Sequence, residues 1–381
     1  MKFEQVVGQE KLLEQLKKMV DVNKLPHALF LKGKSGHGAL PIAISLASYL
    51  LTPKDERSLL EESNSYQKAT KGLHPDMNYA FPVVIQKPKK RKDTTSRDFL
   101  KEWRSALAAN SYMSDSDWII SITTSTGLGD INTTECHQII RNLTLKPFES
   151  EHKVQIIWMP QYLGKNGNRL LKIIEEPPAN TYIIFVGDTT ESVLNTLTSR
   201  CQIFNVPRIS DQKIQEALVT HHGLSVEAAN RLSFLAEGDY AQAKMLLTLD
   251  DSVSLDFVLE WIECCKNSDA LKIKNWITVF IEYSKEEQKG IFIYFLKILR
   301  EIIHLRIMGA NRSKLNQVEQ KLIENNVTLN IITIGHIEII SNTVNDMYTL
   351  LGRNANIKIL LFQGSLQIGK IIKMSTLATE V

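Results

Sequence analysis

The stretch Gly33-Lys34-Ser35-Gly36-His37-Gly38 has the residue types and spacing to cradle a phosphate chain. In the pattern G-x-x-x-x-G-K-[ST], glycines bring backbone N–H groups to the phosphates, a lysine reaches the β and γ groups, and a hydroxyl holds Mg²⁺. The chain follows that pattern as far as Gly38 and then breaks it. Ala39 stands at the lysine position and Leu40 at the hydroxyl position. A methyl and an isobutyl group supply neither charge nor a metal ligand. A second requirement of phosphoryl transfer fails independently. Carboxylates that hold Mg²⁺ and polarise water belong at the end of a neighbouring strand. The apolar run Lys153–Trp158 ends instead in Trp158-Met159-Pro160-Gln161. The sequence therefore carries the frame of a nucleotide site without its chemistry.

Other residues invite functional readings. Ser199-Arg200-Cys201 lies between a short helix and a strand, where a guanidinium is either half of a surface ion pair or is displayed to a partner's phosphate. Glu175 and Glu176 read as a solvated helix end or a subunit contact, and Pro177 and Pro178 stop the helix they close. His74 and Asp76, with no third partner nearby, read as turn residues. Lys87–Lys92 belongs to the most basic run in the chain, a solvated loop or a contact with a DNA backbone. Cys136, Cys201, Cys264 and Cys265 form no CxxC pair, so a structural zinc site is not expected.

These residues need elements to position them. His27–Leu31 reads as a buried strand and Pro41–Leu50 as a helix, which places the glycine-rich loop at a strand-to-helix turn. Leu12, Leu13, Leu16 and Met19 share one face of an earlier helix, which with its lead-in Val6-Val7-Gly8-Gln9 reads either as an ordinary amphipathic helix or as the part that wraps the base side of a nucleotide. Further strands are expected over Asn78–Ile85, Lys153–Trp158, Thr181–Val186 and Gln202–Val206. Helices are expected over Thr133–Leu145, Asn166–Ile174 and Ser192–Leu197, and a helix carrying Phe99, Leu100, Trp103 and Leu107 on one face. Beyond residue 208 the chain reads as helical. Its apolar stripes, such as Leu255/Val258/Leu259/Ile262 and Ile337/Ile340/Val344/Met347/Leu351, suit an intramolecular core or an oligomer collar.

Composition bounds the rest. With 381 residues, 43% hydrophobic and 23% charged, the chain has the make-up of a globular protein with two or three domains. A net charge of +3 argues neither for nor against a nucleic-acid partner. No apolar run approaches the roughly 20 residues of a membrane span, and a cytoplasmic location is expected.

Val7-Gly8-Gln9, His27-Ala28-Leu29-Phe30, His74-Pro75-Asp76, Leu170-Leu171-Lys172-Ile173-Ile174-Glu175-Glu176-Pro177-Pro178 and Ser199-Arg200-Cys201 occur in that order. Together they resemble the delta-prime group of the bacterial DNA polymerase III clamp-loader family. The resemblance covers most of residues 1–250, and Arg353–Leu361 is similar to the family's last collar helix. It implies an α/β P-loop AAA+ core with a degenerate loop over 1–207, a helical lid over 208–250 and an all-α collar over 251–381. It further implies a scaffold without ATPase activity of its own, needing no cofactor, that presents Arg200, flanked by Ser199 and Cys201, to a neighbouring subunit. The implied partners are gamma or tau and delta subunits, with the sliding clamp and primer–template DNA met through the assembled polymerase holoenzyme. An active ATPase of the gamma or tau type, or an adaptor that kept the fold outside a ring, is the alternative. Three departures from the family stand out. Leu60, Ser63 and Tyr66 fall near expected zinc-ligand positions. Ala241 and Gln242 stand where a lid arginine is found. The segment 86–129 is longer than in relatives. Elemental analysis of the purified chain should accordingly find no stoichiometric zinc, and one zinc per chain would overturn that expectation.

Overall fold

The structure, a computed structural model, describes residues 2–84, 93–123, 129–247, 255–308, 321, 323, 333–352 and 355–379. Ile85, the basic run Lys87–Lys92, and Arg353 and Asn354 of the collar motif lie outside the described residues. The chain divides into two compact units, one of residues 1–217 with 237–241 and the other of residues 218–236 with 242–381. The segment expected as a separate lid, 208–250, is thus shared between the two.

The first unit is built on a parallel sheet in the order β2-β3-β4-β1-β5. Its strands are β1 (Ala28–Lys32), β2 (Met77–Ala80), β3 (Lys153–Trp158), β4 (Thr181–Gly187) and β5 (Gln202–Asn205). Both faces are covered, so the inner strands read as continuous apolar runs. Leu29 and Leu31 of β1 join one core with Ile184, Val186 and Trp158, while Ala28 and Phe30 join another with Ile157, Ile183 and Phe185. The period-2 alternation of a strand makes this division. The helices of this unit are α1 (Glu10–Asp21), α2 (Ala39–Leu51), α3 (Asn64–Thr70), α4 (Leu100–Asn110), α5 (Asp115–Ile122), α6 (Thr133–Thr144), α7 (Leu171–Glu175) and α8 (Asn195–Thr198). Every residue of α2 is buried, as suits a helix that is apolar all round.

Three expectations are corrected. The strand expected over Asn78–Ile85 is only Met77–Ala80, because Ser96 Oγ takes both the N–H and the C=O of Phe81 and Pro82 has no N–H to offer. Val83 instead makes an isolated antiparallel bridge with Asp130. The helix expected over Asn166–Ile174 is a 3₁₀ stretch, Pro160–Leu170, leading into the short α7, with non-helical backbone at Gly164. The helix expected over Ser192–Leu197 shifts to Asn195–Thr198.

His74 and Asp76 are the turn residues expected, with a further job. The buried Asp76 carboxylate accepts the backbone N–H groups of Phe148, Glu149 and Ser150 at 2.6, 2.8 and 2.9 Å. His74 Nδ1 accepts the Asp76 N–H, and His74 Nε2 lies 3.0 Å from Ser65 Oγ. Charge-assisted bonds of this kind are the stronger ones, so a turn before β2 fixes the turn before β3.

Beyond these come α9 (Asp211–His222), α10 (Val226–Ala236) and α11 (Tyr240–Leu246). The second unit continues with α12 (Leu255–Asn267), α13 (Ala270–Phe280), α14 (Lys285–Met308), α15 (Ile334–Gly352) and α16 (Ile357–Thr379). The predicted stripes of α12 and α15 are buried within this unit's own core. Trp261 stacks on Trp276 at 4.9 Å and donates from Nε1 to Ser365 Oγ. Gly369 of α16 lets its helix approach α12, since a Cβ there would lie 2.2 Å from the Cys265 carbonyl oxygen. Among the described residues no helix is long and apolar enough to cross a membrane.

Glu135 of α6 gives the fold a measurable pH dependence. It is buried and accepts the Ser96 N–H at 2.6 Å. Burial raises its pKa from 4.5 to about 7, with the Ser96 bonds opposing the rise. The folded chain therefore holds this proton to higher pH than the unfolded chain does, and stability falls as pH rises from 4.5 toward about 7. Glu135→Gln should gain roughly 1–3 kcal/mol over the native chain at pH 8 and almost nothing at pH 4. Denaturant midpoints at the two pH values measure the difference.

Candidate functional site

The loop Gly33–Gly38 leaves the end of β1 and enters α2, as its sequence requires. Gly36 and Gly38 have φ of +82° and +98°, a region that only glycine occupies without strain. The Gly33 N–H donates to the Gly187 carbonyl, which joins the loop to the end of β4. Gln9 reaches the same loop from the lead-in to α1. Its Nε2 donates to the carbonyl of His37 at 2.9 Å and to that of Pro207 at 2.8 Å. Ala39 and Leu40 are buried in the first turn of α2, and their side chains offer no polar atom to a ligand. Burial, with Lys34 nearby, lowers the His37 pKa, so its imidazole adds little positive charge at neutral pH.

The residues gathered around the loop are unlike those of a triphosphate site. Asp188, just past β4, accepts from Ser35 Oγ at 3.2 Å, and burial raises its pKa. A Cβ on Gly36 would lie 1.9 Å from the Asp239 carboxylate, so that carboxylate packs directly on the loop. Tyr112, in the turn between α4 and α5, packs on Gly38 and meets Tyr240 edge-on at 5.0 Å. Two carboxylates and a phenol thus surround a loop whose cation positions hold Ala39 and Leu40. Trp158, where an acidic strand end was needed, is fully packed. Its ring lies 5.1 Å from that of Trp103, which stacks on Phe81 at 4.2 Å and meets Trp118 edge-on at 5.0 Å.

Arg200 lies two residues before β5, in the turn after α8. Its Nε donates to Glu175 Oε1 at 2.6 Å, with Nη2 2.5 Å from the same oxygen, and its Nη1 donates to the Thr196 carbonyl at 2.7 Å. The structure so brings together two motifs that the sequence separates by 25 residues. The Arg200 side chain stays about one-third exposed. Ser199 Oγ donates to the Thr196 carbonyl, and Cys201 Sγ donates to that of Leu197. Burial pushes the Cys201 thiol up to about 12, which rules out a thiolate near neutrality. His27 Nε2 donates to the Ile174 carbonyl at 2.8 Å and so ties the start of β1 to α7.

Sequence reasoning missed Tyr112, Asp188 and Asp239. Asp188 carried a usable signal, a carboxylate immediately after an apolar strand. Tyr112 carried none, since its partner Val7 is 105 residues away.

A family model described as DNA polymerase III, delta subunit matches residues 8–210. The chain belongs to that family. The match agrees with the delta-prime resemblance carried by the motifs from Gln9 to Cys201. Among named relatives, DNA polymerase III subunit delta' of Bacillus subtilis (strain 168) is 22% identical over 212 residues, which is 55% of this chain and 51% of that protein. Subunit delta' of Buchnera aphidicola subsp. Baizongia pistaciae is 27% identical over 179 residues, 37% of this chain and 52% of that protein. The chain thus spans about half the length of these delta-prime relatives. Subunit tau of Bacillus subtilis is 24% identical over 257 residues, 66% of this chain and 38% of that protein.

This delta-family chain should show no ATP turnover when isolated, against the 1 s⁻¹ or more, in round terms, of a working enzyme. Ala39→Lys with Leu40→Thr should not create an ATPase either, because Trp158 and Met159 still stand where carboxylates are needed. Phosphate release by either protein, after contaminants are excluded, would contradict this reading.

Proposed function

We propose that this chain is a non-hydrolysing subunit of a DNA polymerase III clamp loader, a scaffold that presents Arg200 to the ATP site of a neighbouring subunit. The observation that carries the reading is a contrast within one unit. The chain's own phosphate loop is crowded by carboxylates and a phenol, while a guanidinium is held at the surface by Glu175 and the Thr196 carbonyl. A planar, permanently charged donor set suits the charge that develops on a transferring phosphoryl group. The proposed partners are gamma or tau and delta subunits, with the sliding clamp and primer–template DNA engaged through the ring.

The Arg200–Glu175 pair also favours a second reading, in which the arginine is structural. The two readings differ in what its loss would do. An exposed pair contributes about 0.2–1 kcal/mol to stability, whereas an arginine finger supplied in trans is worth roughly 10³–10⁵ in rate. In a reconstituted ring with every other ATP site disabled, Arg200→Ala should leave assembly intact and lower turnover at the adjacent site by roughly 10³-fold. Arg200→Lys should restore only part of it, since an ammonium keeps the charge and loses the fork. Unchanged turnover with a lowered denaturation midpoint would establish the structural reading instead.

A further inference from the structure

We propose that Tyr112 is a resident surrogate for a purine nucleoside, supplied by the long segment between β2 and β3 and closing the nucleotide frame from within. A P-loop nucleotide lays its phosphates along the glycine loop at the start of the following helix. In the nucleotide-site reading of the sequence, its base lies beside the chain that leads into α1. In this chain the inward-facing donor of that lead-in is already taken. The Val7 N–H donates to the Tyr112 hydroxyl at 2.8 Å, in a buried bond. A ring nitrogen of a purine is an acceptor of the same kind.

The phenol ring fills the adjoining space. It sits over Gly38, where a Cβ would come within 3.2 Å of Tyr112 Cε1, and it packs edge-on against Tyr240. The cavity left at the loop is ≈ 20 Å³. That is space for about one water molecule, against the roughly 300–1,000 Å³ of a small-molecule site. The Asp239 carboxylate packs on Gly36, where a phosphate would have to come.

The surrogate is braced on both sides. The Tyr112 N–H donates to Asn110 Oδ1 at 3.2 Å, and Ser114 caps α5 by accepting the Asp117 N–H. Trp103 of α4 and Trp118 of α5 lock into Phe81 and Trp158, and Trp118 Nε1 donates to the Pro82 carbonyl at 2.8 Å. The segment is therefore held to the core through its helices and delivers its turn to the loop.

The inference rests on the geometry of the first unit alone, so its failure leaves the trans role of Arg200 standing. The test uses the full chain with MgADP and with adenosine, each at millimolar concentration. Neither should raise the thermal midpoint of the native protein, and adenosine should raise that of Tyr112→Ala. Tyr112→Phe should stay closed to both, because it keeps the ring. Its Val7 amide should exchange with solvent about tenfold faster, as suits the loss of one buried hydrogen bond, while the amides of β1 keep their protection. Equal responses of the native chain and Tyr112→Ala to adenosine, whether both shift or neither does, would overturn the proposal. Should Tyr112→Ala fail to fold, unchanged Val7 exchange in Tyr112→Phe would overturn it.

Discussion

The packing of Trp158 against Trp103 is the constraint on which the first unit depends. β3 is buried along its whole length, and its last side chain enters a cluster of aromatic rings with Trp103, Phe81 and Trp118. Such a cluster buries large apolar area and excludes water. A carboxylate in that place would lose its hydration with no cation to replace it. The strand end that seats the segment between β2 and β3 is therefore the strand end that would have to carry catalytic acids. One position cannot do both. In this chain that strand end serves the docking of the segment.

The family motifs act in this structure as long-range ties. Gln9 joins the lead-in to the loop, His27 joins β1 to α7, and Asp76 gathers the turn before β3. Glu175 meets Arg200. Each polar side chain finds backbone or charged partners far off in sequence, which is what a buried or half-buried polar group needs. These ties account for the motifs whether or not the chain meets a nucleotide. They also fix Arg200 to the same sheet that carries the loop, through the pairing of β5 with β1.

How much of this could be read from the sequence follows from the range of the forces involved. β3 was legible residue for residue because six consecutive positions are fully buried and no proline or glycine interrupts them. β2 was read too long because the Ser96 side chain that ends it comes from 15 residues beyond Phe81. The stripes of α12 and α15 were legible as faces, but what they face was not. The defect at Ala39 and Leu40 was plain from spacing alone. The occupant of the loop was invisible, since nothing local to Tyr112 points to Val7 or Gly38. Periodicity reports on burial along one element, and it is silent about which distant side chain fills a given space.

The two outer strands of the sheet share a feature with a consequence for association. β2 and β5 are each four residues long, and each is followed two residues later by a proline, Pro82 and Pro207. Beyond β2, Ser96 also occupies the backbone of Phe81. Short edges of this kind offer an incoming chain only a short row of donors and acceptors. Growth of this sheet by annexing a neighbour's backbone is thereby discouraged at both sides. Edges of this kind favour recognition through side chains, which read identity, over main-chain pairing, which reads almost any sequence.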